Sequence, residues 1–393
     1  MTLAIERHRT PVTTDWASAR LLAHMLPTPG PAELVPLAEA AGRTLAAPLR
    51  AATALPGFDN AAMDGYAVRG TGPWRVGDRI LAGCADVPAA LADGTAAEIA
   101  TGAPVPAGTD RVVPYEAAER IGDLVMAADN TRRHIRRRGE YVRPEQPLLS
   151  AGATVTVPVL GLAAAIGLDA VAVYPRPRVR LLVSGNELVT AGPPPWGRMR
   201  DAIGPMLVPL LASWGAELVG TTMIGDDADG FAAAVADSAA DADLTVVCGA
   251  SSVGPADGLH QALDRLRAVV YVDGVDCRPG HPQVLARAGS GWIAGLPGNP
   301  YAALVAAFTI VEPMLAGLTG RPLPQPRRAR LAGTLTPDDR RTRILPVRTA
   351  AEGVRLVDGG QPGFLGGAAA ADAFAVVPPG PLADSVELLH LPQ

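Results

Sequence analysis

Leu296-Pro297-Gly298-Asn299-Pro300, with the apolar run from Tyr301 to Val311 behind it, decides how the rest of the chain is read. The short apolar segment Gly291-Trp292-Ile293-Ala294-Gly295 stands in front, so the order is strand, tight loop, helix. Proline fits a first helical position because its missing N–H would be unpaired there, which places Asn299 at the N-cap and Pro300 at the first turn. A helix that opens with free amides over a glycine loop attracts oxyanions through those N–H groups and the positive end of its dipole. The same letters also describe the proline start of an ordinary buried helix, so the flanking chain has to decide.

Working outward, residues 177–318 alternate strand and helix. Val179 to Val183 is a buried strand ending in Ser184-Gly185-Asn186-Glu187; Ala202 to Trp214 is a helix, Glu217 to Thr222 a strand and Gly230 to Ala240 a helix. Leu244 to Cys248 is a strand running into Gly249-Ala250-Ser251-Ser252-Val253-Gly254, and Leu259 to Leu266 is a helix. Such alternation predicts a parallel sheet with helices on both faces and ligands outside the carboxyl ends of its strands. Three loops are expected on that edge: Ser184 to Glu187, Gly249 to Asp257, and Leu296 to Pro300. None is a Walker A loop or a GxGxxG fingerprint, which argues against an NTPase or a dinucleotide enzyme. Glu187, Asp257 and the pair Asp226-Asp227 add carboxylates to the same edge, and hard oxygen ligands beside a phosphate pocket suggest Mg²⁺.

Ahead of this section, residues 14–26 have helical apolar spacing with Thr14 as a candidate N-cap, and 152–168 have it again after a strand-like Val155-Thr156-Val157. Between them, Leu55-Pro56-Gly57-Phe58-Asp59-Asn60-Ala61-Ala62-Met63-Asp64-Gly65-Tyr66 crowds two carboxylates and an amide into six positions. Those carboxylates are either solvated or arranged around a cation or donors. Short strands follow from Trp74 to Tyr141, among them Trp74-Arg75-Val76 and Arg79-Ile80-Leu81-Ala82. The Thr101-Gly102-Ala103-Pro104 loop offers a hydroxyl and amides. The insert ends in Arg132-Arg133-His134-Ile135-Arg136-Arg137-Arg138, either a solvated face or a receiver of anions, since arginine forks match phosphate oxygens. After the stiff Pro322-Leu323-Pro324-Gln325-Pro326, five short strands make a small β domain with an expected structural role.

A chain of 393 residues exceeds one compact core, and about two to four domains are expected from length; the family resemblance given below implies four. These are a discontinuous helical and β domain (1–50 and 147–176), a β-rich insert (51–146), the α/β domain (177–321) and the C-terminal β domain (322–393). A net charge of -5 offers no general field for nucleic acid. Cys84, Cys248 and Cys277 form neither a CxxC pair nor an even disulfide set, which fits buried small hydrophobes in a reducing compartment. With a charged N-terminal stretch and no run of about 18 uninterrupted apolar residues, a soluble cytoplasmic protein with no membrane association is expected.

Four stretches in order resemble the molybdopterin molybdenumtransferases (bacterial MoeA and the gephyrin E domain). They are Gly42-Arg43-Thr44-Leu45-Ala46 followed by Leu55 to Val68, Ile99 to Ala103, Ser184-Gly185-Asn186-Glu187-Leu188, and Leu296 to Pro300. The resemblance implies an elongated homodimer of four-domain subunits, with a site between the α/β domain of one subunit and the insert of the other. It implies a reaction in which adenylylated molybdopterin loses AMP and receives molybdate at its dithiolene, with Mg²⁺ required. It also implies two kinds of partner, a molybdopterin adenylyltransferase upstream and molybdoenzymes downstream. On the same ground Asp59, Thr101, Glu187 and Asp257 are the expected catalytic positions, and Glu187, Asp227 and Asp257 the expected metal ligands. Ser184, Gly185, Asp201, Gly249, Ser251, Ser252, Gly254, Arg278, His281, Pro297, Gly298 and Asn299 are expected to bind substrate.

The chain departs from the family's pattern in places. Ala61 stands where serine is common, Ala250 in the Gly-Gly-Val-Ser loop, and Tyr141 at an acidic position. His281 replaces the second lysine of Lys-Pro-Gly-Lys-Pro, here Arg278-Pro279-Gly280-His281-Pro282, and the serine after Asn-Pro is missing at Tyr301-Ala302. Neutral histidine supplies less positive charge than lysine near pH 7. A non-catalytic carrier or scaffold for the cofactor is therefore the alternative reading.

Overall fold

The computed structural model describes residues 13–128, 131–249, 258–333, 335, 340–381 and 384–391. It is a multidomain α/β and β protein whose chain divides into two compact units. One comprises the segments up to Glu33, Gly42–Ala46 and everything from Tyr174 onward; the other comprises Leu34–Ala41 and Ala47–Val173.

The second unit is built on a six-stranded sheet with spatial order Arg111–Pro114, Gly65–Val68, Thr95–Ile99, Trp74–Ile80, Leu124–Ala127, Ala118–Ile121. The two short strands expected at 74–76 and 79–82 are one strand, Trp74–Ile80, with an irregular register between Val76 and Arg79. Alternation explains its two cores: Tyr66, Val68 and Trp74 pack on one face, Ala67, Ile80 and Ile99 on the other. Val155 to Val157 does not form a strand; Thr156 is instead the N-cap of the helix Val157–Ala165. Cys84 is exposed, contrary to expectation, while Cys248 and Cys277 are buried.

In the first unit, strands and helices are numbered along the α/β section: β1 Arg178–Ser184, α1 Ile203–Ser213, β2 Glu217–Ile224, α2 Ala228–Asp241, β3 Leu244–Cys248, α3 Gly258–Arg265, β4 Val269–Asp273, β5 Val284–Ala288, β6 Gly291–Leu296 and α4 Pro300–Ala306. The sheet order is β2-β1-β3-β6-β5-β4. Strands β2, β1, β3 and β6 are mutually parallel, whereas β5 pairs antiparallel with both β6 and the edge strand β4. The strand pattern places Leu181 and Val183 against α1 and Leu182 against α2 and α3, so helices cover both faces.

Helix α4 continues through a π turn at Ala307–Val311 into the helix Glu312–Leu318. This 19-residue run is apolar and long enough in composition to cross a membrane, yet all of it but Pro300 and Glu312 is buried, and it is the central core helix of the unit. The helix Trp16–Met25, capped by Asp15 and not Thr14, packs along it. The approach is close because Gly317 lacks a Cβ, which would lie 2.3 Å from the His24 carbonyl. Arg20 reaches across to Phe308 O, Glu312 and Pro324 O, and Trp16 Nε1 donates to Thr309 Oγ1.

The C-terminal strands Thr342–Ala350, Gly353–Leu356, Arg327–Ala332, Ser385–His390 and Ala373–Val377 pair in that order, and the last returns to the first to close a five-stranded barrel. Cys277–Arg278, from the α/β section, adds to its rim beside Thr342 and Arg343.

Candidate functional site

Three of the expected loops meet at the carboxyl ends of the parallel strands. Ser184 ends β1, Gly249 follows β3 and Gly298 follows β6. A Cβ on Gly249 would lie 2.6 Å from Ser184 O, and one on Gly298 would lie 3.3 Å from Gly249 Cα. Gly249 has φ +99° and its amide donates to Leu296 O, so this crossing point needs a residue without a side chain. Ser251, Ser252, Gly254, Asp257 and Ala250 lie outside the described residues.

Beside this junction, the Ser184–Glu187 loop is laced to the turn after β2. Gly185 N donates to Ile224 O and Asn186 N to Asp226 Oδ2. Glu187 is exposed, folds back over Gly185, and has no hydrogen-bond or ion-pair partner for its carboxylate among the described residues. Asp227 caps α2 by accepting from Gly230 N at 2.8 Å. Asp226, not Asp227, is therefore the aspartate tied to the Glu187 loop. Asp201 caps α1 in the same way, accepting from Ile203 N and Gly204 N. No three His, Cys, Asp or Glu side chains come together as a metal cage among the described residues. Glu187 and Asp226 still fit Mg²⁺ by donor type, since that ion is usually held by one or two carboxylates and completes its shell with phosphates and water.

The start of α4 departs from expectation. Asn299 occupies the N-cap position, but its side chain makes no capping bond, and the Tyr301 and Ala302 amides both donate to Pro362 O, at 3.0 and 3.3 Å. Those two donors are spent inside the protein and are not free for a phosphate. Tyr301, at the position of the missing serine, is a core residue whose hydroxyl donates to Ile344 O. The C-terminal barrel is thus more than structural support: it caps α4 and borders Arg278. Pro297 is buried, while Gly298 and Asn299 are exposed.

Arg278 and His281 sit on the loop between β4 and β5. Arg278 is exposed and, among the described residues, has no carboxylate partner. His281 Nδ1 lies 2.8 Å from Val275 O; a carbonyl can only accept, so Nδ1 carries the proton and Nε2 is left as the free nitrogen.

Asp59 and Thr101 lie on the other unit and are joined by backbone bonds: Ala61 N to Ala103 O, Gly102 N to Ala61 O, and Val105 N to Asp59 O. Burial works to raise the Asp59 carboxyl, but the Arg138 amide at 2.7 Å and the Arg137 guanidinium at 2.5 Å outweigh it and hold the group below the ordinary range. The Arg137 side chain is thereby an ion-pair partner and not a purely solvated charge. Thr101 N donates to Asp64 Oδ1 at 2.6 Å, and the Thr101 amide and hydroxyl hold the Asp64 carboxyl low. The sequence had singled out neither Asp64 nor Pro362 for these tasks. Asp64 was visible within the crowded motif, whereas Pro362 carries no local signal.

Comparison with known proteins gives the same picture along the chain. Residues 12–167 match the family described as MoeA N-terminal region (domain I and II), and residues 180–317 match the probable molybdopterin binding domain. Molybdopterin molybdenumtransferase 2 of Mycobacterium tuberculosis is 38% identical over 308 residues, covering 74% of this chain and 76% of that one. Molybdopterin molybdenumtransferase of Synechococcus elongatus is 35% identical over 314 residues, covering 75% and 77%. The solved structure of the molybdopterin biosynthesis MoeA protein from Pyrococcus horikoshii superposes with a TM-score of 0.82 at 24% identity, over 97% of this chain and all of that one, which shows the shared fold. With that identity spread over three quarters of both partners, the chain belongs to the molybdopterin molybdenumtransferase family, transferases of molybdenum cofactor biosynthesis.

Proposed function

We propose that the protein inserts molybdate into adenylylated molybdopterin with release of AMP, that it requires Mg²⁺, and that it acts as a homodimer in the cytoplasm. The family supports the reaction class. The structural observation in favour of a working site is Glu187, an exposed carboxylate without a partner among the described residues, held beside Asp226 at the junction of the Ser184, Gly249 and Gly298 loops. Keeping an acidic group there costs repulsion toward an anionic substrate unless a cation is shared.

Each residue has a definite task in this reading. Arg278 binds a phosphate, because its guanidinium is exposed and always charged. His281 has its Nδ1–H committed to Val275 O, so its Nε2 can accept from an N–H or O–H of the ligand but not bond a phosphate oxygen, and Arg278 carries the phosphate contact of this loop. Glu187 and Asp226 would hold Mg²⁺, with Asp257 as a further expected ligand, and the ion would offset repulsion between phosphates, molybdate and these carboxylates. Glu187 also orients water for attack at the phosphoanhydride. Asp59, fixed as an anion by Arg137 and Arg138, and Thr101, fixed by Asp64, keep their side-chain geometry without reorganisation. Two α4 amides are already used, so side chains carry more of the phosphate binding than the helix end does. The carrier reading has less support, since both relatives above bear the name molybdenumtransferase.

The test is AMP release from adenylylated molybdopterin by the purified protein, with and without molybdate and Mg²⁺. Release that depends on both ions is expected. Tight binding of the ligand with no release under any condition rejects the transferase reading in favour of a carrier.

A further inference from the structure

We infer that Gln283 is a positioning residue for anion binding: its buried amide holds the Arg278–His281 loop in the shape that presents Arg278 to a phosphate. This rests on the reading of that loop given above. Gln283 is 0% exposed. Its Nε2 donates to Gly280 O at 2.5 Å and to Cys277 Sγ at 3.3 Å, while Oε1 is buried with no partner among the described residues. The orientation of the amide is fixed, because turning it over would set Oε1 against the Gly280 carbonyl, two acceptors face to face.

A buried acceptor without a partner is a cost that leucine or methionine, of similar volume, would avoid. Removing the amide would leave Gly280 O without its donor at a similar cost, so the two effects offset and fold stability alone gives glutamine little advantage here. What the amide supplies is a donor inside a loop that has few others. Val275 N donates to His281 O, the His281 ring donates to Val275 O, and Cys277 Sγ donates weakly to Pro279 O. Between these, Gly280 O receives its donor from Gln283. The loop also presses on α4, where a Cβ on Gly280 would lie 3.2 Å from Ala302 O. Arg278 stands in register with Arg343 on the adjoining strand of the barrel rim. An internal tether fixes the course of the loop and with it the place of Arg278 on the barrel rim.

The experiment uses the full chain and two variants, Gln283→Met and Arg278→Ala. Each is titrated anaerobically with adenylylated molybdopterin in a calorimeter and unfolded in denaturant. Gln283→Met is expected to weaken binding about tenfold, with an unfolding midpoint close to that of the parent, because losing the unpartnered Oε1 offsets the loss of the donor to Gly280 O. Arg278→Ala is expected to weaken binding as well. If Arg278→Ala binds less tightly while Gln283→Met binds like the parent, the positioning role is wrong and the reading of the loop stands. Unchanged binding by Arg278→Ala removes the reading itself and the inference with it. Loss of stability together with loss of affinity in Gln283→Met makes the residue merely structural and also overturns the inference.

Discussion

Replacing Arg20 by methionine tests how the core of the larger unit is held. The Arg20 side chain is 3% exposed and Glu312 16%, so this is a buried ion pair, and the guanidinium also serves the carbonyls of Phe308 and Pro324. Arg20→Met removes the guanidinium that lies 5.1 Å from the Trp16 ring centroid and strands a carboxylate and two carbonyls. Breaking a buried pair from one side costs about 3 to 5 kcal/mol, and orphaned carbonyls alone about 1 to 3. The double variant Arg20→Met/Glu312→Leu removes the stranded charge and should recover about 2 kcal/mol of the loss. Burial already raises the Glu312 carboxyl, with Arg20 pulling the other way. Without Arg20 the folded-state value rises further above the unfolded one. The protonated form is compatible with burial, so the deficit of Arg20→Met is least at acid pH and grows as pH rises through the parent's folded value. Guanidinium unfolding followed by tryptophan fluorescence between pH 5 and 8 measures this. A single variant within about 1 kcal/mol of the parent, or a double variant no more stable than the single, refutes the account.

Other perturbations probe the site. Gly249→Ala should cost about 2 to 4 kcal/mol, combining a left-handed backbone with a Cβ 2.6 Å from Ser184 O; denaturant unfolding gives the number, and an unperturbed variant would mean the loop junction is loose. Glu187→Gln and Asp59→Asn should each abolish AMP release while ligand affinity stays within about tenfold, roughly 1.4 kcal/mol; parental turnover in both would remove their assigned roles.

The α/β section was legible because its signals are local. Leu181, Val183 and Leu182 alternate toward two helix layers, and Pro300 marks the first turn of α4 as expected. The antiparallel edge was not, since β4 and β5 are five-residue strands around a loop whose proline and glycine read as irregular chain. At the site, the meeting of Ser184, Gly249 and Gly298 followed from sheet topology alone. Capture of the Tyr301 and Ala302 amides by Pro362 could not follow, because a carbonyl acceptor from a distant strand connection leaves no mark near the helix it caps. The choice between Asp226 and Asp227 turned on one residue of helix phase, which periodicity does not resolve.

The pairing of the Trp16–Met25 helix with the run from Pro300 to Leu318 bears on how the chain is made. Ribosomes add about 5 to 20 residues per second, so the early helix emerges tens of seconds before its partner exists. In that interval the excursion from Ala47 to Val173, whose sheet pairs only strands of its own, can complete itself. Trp16, Arg20 and the small-residue face of the early helix then wait in the open for Thr309, Glu312 and Gly317. Vectorial synthesis thus finishes the interrupting unit before the one it interrupts.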